Sequence, residues 1–267
     1  MTIDSYFGIG KPEEKTPPSN VDSVLLVKRA FELWWKESAK REKELLDTAL
    51  CFIEPCEHHF PEVIEDDFYF TPLLKIRKYD LPYASLFYTA LLNMGAKERT
   101  LVIPEIYVSD ARFGYGMTKG LLDSAANSDG NCGGLGICAF GGIVINRGHM
   151  GVLGHSSLDG LFINYGSIER DFGFWSEGGL YINYGKSQDM GREVRGGIYI
   201  AAEETNSFMV HAKKQIGITK KKLQQDTTLT ALVEEIRQKT EKKGIDIEAV
   251  RDLGEKIKTH CQQYYVT

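Results

Sequence analysis

Between residues 135 and 203 the chain alternates apolar and polar positions in short bursts that recur almost unchanged. Four segments align without gaps: LGICAFGGIVINRG from Leu135, LGHSSLDGLFINYG from Leu153, FGFWSEGGLYINYG from Phe172 and MGREVRGGIYIAAE from Met190. Their starts are evenly spaced, except that the step from Leu153 to Phe172 is longer than the others by a single position. The first position is always large and apolar. The second (Gly136, Gly154, Gly173, Gly191) and the eighth (Gly142, Gly160, Gly179, Gly197) are always glycine. Positions nine and eleven are aliphatic throughout, including Ile145, Ile163, Ile182 and Ile200. Period-two alternation in a short run predicts a strand, and glycine at fixed offsets predicts corners or close backbone approach. A strand, a corner, a second short strand and a return within roughly 20 residues is the size of one β-solenoid coil, which buries its apolar face only by stacking on a neighbour.

The expected interior is therefore a file of isoleucines, with Asn146, Asn164 and Asn183 forming a bonded ladder at a corner. Position ten (Val144, Phe162, Tyr181, Tyr199) should then point outward as an aromatic strip that helices cover or a partner binds. Phe208 stands one repeat beyond Met190 and opens a final coil, and Phe113-Gly114 with Gly120-Leu121 mark a degenerate earlier one. Segments of the form IxNxG resemble coils of parallel β-helix proteins in general and point to no particular family. The six-residue spacing of left-handed hexapeptide helices fails, because a step of six from Ile163 meets Glu169.

The flanks follow the helical period. Asn20 can cap a long amphipathic helix, or two, running to about Glu54, where Pro55 breaks it. Asp80 opens another helix that ends at Gly95, and Thr100 to Ser109 reads as extended. After the glycine-rich block, Leu229, Leu232, Val233 and Ile236 share one helix face, Gly244 stops it, and Asp246 caps a second helix through Ile257. The expected organisation is a tail over 1–19, a helical region over 20–99 packing on the solenoid, a parallel β-solenoid of four or more coils over 100–210, and a C-terminal helical hairpin over 211–267: a mixed α and β protein.

Composition narrows the function classes. All eight prolines lie at or before Pro104, and 21 of the 27 glycines fall between Gly114 and Gly197, which marks the change of architecture. A formal charge of −5, from 37 acidic and 32 basic side chains, opposes general nucleic-acid coating. The absence of a long apolar run or an apolar leader predicts a cytoplasmic protein without membrane partners, and the five cysteines are expected to be free thiols.

Candidate chemistry is sparse. Arg147, His149 and His155 lie close together between the first two aligned coils, and histidine can serve as a general base. The column of Arg147 continues as Tyr165, Tyr184 and Ala202, so charge does not recur on adjacent rungs. Cys51, Cys56, His58 and His59 are metal-ligand types, but their spacing fits no closed zinc site. Cys132 and Cys138 bracket GGLGI without a base in sequence, and Glu62, Glu65, Asp66 and Asp67 read as a solvated acidic turn. Lys213, Lys214, Lys220, Lys221 and Lys222 form the main basic cluster, without aromatics for base stacking. Glycine-rich stretches lack the lysine of a P-loop. No cofactor is expected. The first functional expectation is an interaction or scaffold protein binding a protein partner or itself, using Phe162, Tyr181, Tyr199 and the lysines. The alternative is an enzyme on a carbohydrate or other polar polymer, and the third is nucleic-acid binding through Lys213 to Lys222.

Overall fold

The computed structural model describes residues 30, 49, 62–65, 81–95, 98–107, 112–128, 134–203, 205–208, 215–242 and 244–265. In chain order the strands are β1 (Val63–Glu65), β2 (Thr100–Ile103), β3 (Arg112–Phe113), β4 (Leu121–Ser124), β5 (Gly134–Leu135), β6 (Ile143–Asn146) and β7 (His149–Leu153). They continue as β8 (Leu161–Asn164), β9 (Ser167–Phe172), β10 (Leu180–Asn183), β11 (Lys186–Met190), β12 (Gly197–Ala201), β13 (Ser207–Phe208) and β14 (Gln215–Ile218). They build two all-parallel sheets, an eight-stranded one in the order β1-β2-β4-β6-β8-β10-β12-β14 and a six-stranded one in the order β13-β11-β9-β7-β5-β3. Six coils result, from β2–β3 to β12–β13. The register is the one the repeat predicts: Ile145 pairs with Ile163 and Ile163 with Ile182, while Met190 pairs with Phe208 and Phe113 with Leu135. β14 carries the solenoid past residue 210, and Val63–Glu65, read as part of an acidic turn, is a strand paired to β2.

Inside and outside are the reverse of the sequence expectation. Phe162, Tyr181 and Tyr199 are fully buried and meet Leu153, Phe172 and Met190 of the opposite sheet in one core, which is the lumen of the coils. Leu161, Ile163, Leu180, Ile182, Ile198 and Ile200 form a second core with the C-terminal helices, on the outer face of the larger sheet. Alternation sorts a strand into two faces without saying which turns inward, and a parallel sheet covered on both sides is apolar on both. Rings fill the wide lumen, stacked at 4.8 Å for Phe162 on Tyr181 and 4.5 Å for Tyr181 on Tyr199. The flatter aliphatic file meets the helices.

Buried hydroxyls in the lumen are matched. Ser157 Oγ donates to the Gly154 carbonyl at 2.7 Å and accepts from the Tyr181 hydroxyl at 2.5 Å. One coil later Ser176 Oγ donates to the Gly173 carbonyl at 2.8 Å and meets the Tyr199 hydroxyl, which donates to the Gly196 carbonyl at 3.1 Å. Where position ten is Phe162, the equivalent of these serines is Ala139. Hydroxyl and partner appear together or not at all, as burial of a polar group requires.

Both ends of the coil interior need attention, because solenoid edges expose unpaired backbone. At the first coil, helix α1 (Leu81–Asn93) supplies Ser85, Thr89 and Asn93 at four-residue spacing. They accept the backbone N–H groups of Arg112 at 3.2 Å, Gly114 at 3.0 Å and Thr118 at 2.8 Å. Of the long N-terminal helix read from Asn20, Ala30 and Ala49 are described; both are helical and buried in the core that includes the lumen. The rest of that helix and the tail lie outside the described residues.

Helices α2 (Lys220–Gln225), α3 (Thr227–Thr240) and α4 (Ile247–Tyr265) follow β14. Asp226 caps α3 by accepting from Leu229 N–H at 2.9 Å, and Asp246 caps α4 by accepting from Ala249 N–H at 3.0 Å. Gly254 of α4 is buried against the aliphatic file, where a Cβ would lie 3.6 Å from Leu161, an ordinary contact. No helix among the described residues is long and apolar enough to cross a membrane.

Candidate functional site at the tight corner

Two corners complete each coil. The wide one carries Cys138, Ser156, Trp175 and Glu193 in a single column, all left-handed with φ between 50° and 55°. The tight one turns at the pairs Arg147-Gly148, Tyr165-Gly166 and Tyr184-Gly185. Glycine is obligatory there: a Cβ on Gly166 would lie 1.9 Å from the Gly148 carbonyl oxygen. The asparagine ladder holds this corner from within. Asn146 Nδ2 donates to Asn164 Oδ1 at 2.8 Å and Asn164 Nδ2 to Asn183 Oδ1 at 2.7 Å, with all three residues buried.

With the backbone fixed in this way, the flanking side chains stand in rows on the outside. The residues before the glycines are Arg147, Tyr165 and Tyr184; those after them are His149, Ser167 and Lys186, paired in register on β7, β9 and β11. Between the rows lies an open groove of about 760 Å³ lined by Arg147, His149, Tyr165, Ser167, Tyr184 and Lys186, among others. Its far wall is the joint to α3. The Tyr165 and Tyr184 rings stack at 5.0 Å, and their hydroxyls bond Thr240 Oγ1 at 2.6 Å and the Val233 carbonyl at 2.5 Å. Burial pushes the Tyr165 phenol up to about 12.

Arg147 is fully engaged. Its guanidinium forks onto Asp123 at 2.7 and 3.0 Å, donates to the Thr240 carbonyl at the end of α3, and lies over the Tyr165 ring. That is a clamp between coil and helix. His149 stands between two oxygens: Nδ1 is 2.5 Å from Ser167 Oγ and Nε2 is 2.7 Å from Glu169 Oε1. His155 does not join them. It sits beyond the other end of β7 on the wide corner, bonded to Ser156 Oγ at 2.9 Å and packed on Phe174, where burial lowers its pKa against the opposing pull of Asp171.

Sequence alone gives no reason to single out Ser167, Glu169 or Lys186, although Ser167 and Lys186 share a repeat column with His149. Glu169 faces out by alternation, in the column of Gly151 and Gln188, and the one longer step of the repeat falls beside it. β9 has six residues where β7 and β11 have five, and the register shifts between Met150 and Val152 on one side and between Ser187 and Asp189 on the other. The extra residue makes a bulge that leaves Arg170 facing outward beside Glu169.

Phe162, Tyr181 and Tyr199 present no outer strip, since the lumen encloses them. Lys220 pairs with Glu203 at 2.7 Å, Lys221 and Lys222 are exposed on α2 beside β14, and Lys213 and Lys214 lie outside the described residues. Cys51, Cys56, His58, His59 and Cys132 also lie outside them. Among the described residues no group of three or more His, Cys, Asp or Glu is placed to hold a metal. Three apolar side chains do reach solvent on the wide corner: Phe140 and Leu158, 56 and 43% exposed, share one column that continues as Glu177 and Arg195, and Trp175, 49% exposed, stands two positions earlier in the column of Cys138 and Ser156. No known family, curated protein or solved structure matches the chain significantly, so its function is read from its own geometry.

Proposed function

We propose that this is an interaction protein whose contact surface is the wide corner, and that the partner it meets there is a second copy of itself. The observation that carries this reading is the exposure of Phe140, Leu158 and Trp175, from two neighbouring columns of one corner, on a stack in which the interior and helix-facing apolar columns are buried. Large apolar side chains gathered on one corner are a liability unless something covers them. Trp175 is stacked on Phe174 at 4.7 Å and held by a bond from Nε1 to Glu193 at 2.9 Å, so the ring is already ordered for contact. Both columns continue into charged residues of both signs, with Arg195 at 3.1 Å from Glu177 and Arg192 beside Glu193. Two such corners related by a two-fold axis therefore offer each other apolar side chains and complementary charged rims.

Sedimentation equilibrium over roughly 1 to 200 µM tests this, the range suited to a contact of modest area. The expected result is a mass rising from that of the 30.0 kDa monomer towards twice that value, with the rise abolished by F140S/L158S/W175S. A monomer at every concentration overturns the reading.

A further inference from the structure

We infer that the tight-corner groove is a second, catalytic site, in which Ser167 is a nucleophile that removes short acyl groups from a polar, hydroxyl-bearing carrier. Three successive rungs hold His149, Ser167 and Lys186 in register, about 4.8 Å apart as adjacent strands are. They are a base, a nucleophile and a cation in that order. Glu169 completes the array from behind. Its carboxylate accepts a hydrogen bond from Nε2–H at 2.7 Å, which leaves the Nδ1 lone pair facing the Ser167 hydroxyl at 2.5 Å. A base hydrogen-bonded to a hydroxyl and oriented in turn by a carboxylate is the arrangement that nucleophilic catalysis requires, whatever fold carries it.

Strand alternation turns Glu169 outward two residues along β9 from Ser167, opposite Gly151, where the carboxylate reaches His149; the bulge adds Arg170 beside it, so β9 has two outward residues where β11 has only Gln188. Bulges of this kind recur beside functional sites.

The step balances without a co-reactant other than water. Ser167 Oγ attacks the ester carbonyl carbon as its proton passes to His149 Nδ1. The bond from that carbon to the alcohol oxygen breaks, and the departing alkoxide takes the proton from His149. Water then repeats the attack on acyl-Ser167, giving up a proton to His149 Nδ1, which returns it to Ser167 Oγ as the carboxylic acid leaves. Lys186, on the rung beyond Ser167, supplies positive charge where the carbonyl oxygen becomes an oxyanion. Glu169 is a positioning residue, acting through His149. The groove lining contains no aliphatic side chain among the described residues, and the exposed faces are Tyr165, Tyr184, charged groups and glycine backbone. It suits an acetyl-sized acyl group on a sugar-like alcohol and offers nothing to a long fatty chain.

The test uses the full chain, a fluorophosphonate probe and p-nitrophenyl acetate. Peptide mass mapping should find the phosphonyl adduct on Ser167. Acetate release should fall at least about tenfold in S167A and H149A. E169Q should lower kcat with KM unchanged, and K186M should do the same. Because S167A removes one bond at the corner, circular dichroism accompanies each variant, and S167C gives an independent readout: its thiol should react with iodoacetamide at least about tenfold faster than in S167C/H149A. An adduct elsewhere, or S167A turnover equal to wild type, overturns the proposal. Neither result touches self-association, which is read by mass.

Discussion

Asn164 is the middle rung of the corner ladder, and replacing it tests whether that ladder holds the stack together. Its side chain accepts from Asn146 Nδ2 at 2.8 Å and donates to Asn183 Oδ1 at 2.7 Å and to the Lys186 carbonyl at 3.1 Å. In N164A the Asn183 oxygen loses its donor in a buried site, which costs about 1–3 kcal/mol, while Asn146 keeps the Gly148 carbonyl and loses only about 1 kcal/mol. With the lost bond to Lys186 and a small cavity, the expected destabilisation is about 3–5 kcal/mol, a large part of a typical stability of roughly 5–15 kcal/mol. Urea unfolding followed by circular dichroism should show it as a lower midpoint at unchanged m-value. N164D separates hydrogen bonding from shape. Its carboxylate can accept from Asn146 but donates to neither partner, and burial would raise its folded pKa above the unfolded value near 3.9. A group that binds its proton more tightly when folded adds stability at low pH and loses it as pH rises. N164D should therefore recover towards wild type below about pH 4 and be worse than N164A at neutral pH. A loss under about 1 kcal/mol for N164A, or no pH dependence for N164D, would refute the assignment of the ladder as the corner's support.

Two further outcomes follow from matched polar groups. In the lumen, S157A removes the 2.5 Å partner of the Tyr181 hydroxyl, whereas Y181F leaves a serine that keeps its Gly154 bond, so S157A should cost more, and the double variant should regain about 1–2 kcal/mol relative to additivity. In the hairpin, Asp226 accepts from Leu229 N–H at 2.9 Å, His260 Nε2 at 2.7 Å and Tyr265 hydroxyl at 3.0 Å. Burial pushes that carboxyl up, but these bonds together hold it below its ordinary value. Its contribution is present above the unfolded pKa and lost as pH falls through the folded one. D226A should cost about 2–4 kcal/mol at pH 7, with the gap to wild type closing below about pH 4 in thermal scans.

The sequence carried the coil length, the corner glycines, the ladder and the hairpin caps, because each is a local requirement repeated at a fixed offset. It misassigned the two faces of the larger sheet. Isoleucine at positions nine and eleven and an aromatic at position ten both satisfy a buried environment, so periodicity had no power to choose. The deciding signal lay elsewhere in the repeat. Ser157 and Ser176 each stand a little more than one coil upstream of a lumen tyrosine, Tyr181 and Tyr199, while Ala139 stands in the same relation to Phe162. A hydroxyl that needs a partner from the neighbouring coil cannot be facing solvent. The groove was harder to see. His149, Ser167 and Lys186 share a column but no chemistry, and comparison down a repeat rewards identity. Glu169 stands in a column that reads Gly151 and Gln188 on the neighbouring coils, so nothing in the repeat set it apart.

A sheet buried on both faces changes what the C-terminal helices are. They are the second wall of the molecule, since without them Ile145, Ile163, Ile182 and Ile200 would all face water. The tight corner is where that wall is fastened: Arg147, Tyr165 and Tyr184 each make a bond to α3 and each line the groove. A molecule seated in the groove would therefore touch the same side chains that dock the hairpin. Binding and docking share one set of contacts, and a ligand that requires their docked arrangement must stabilise the hairpin on the solenoid by mass action.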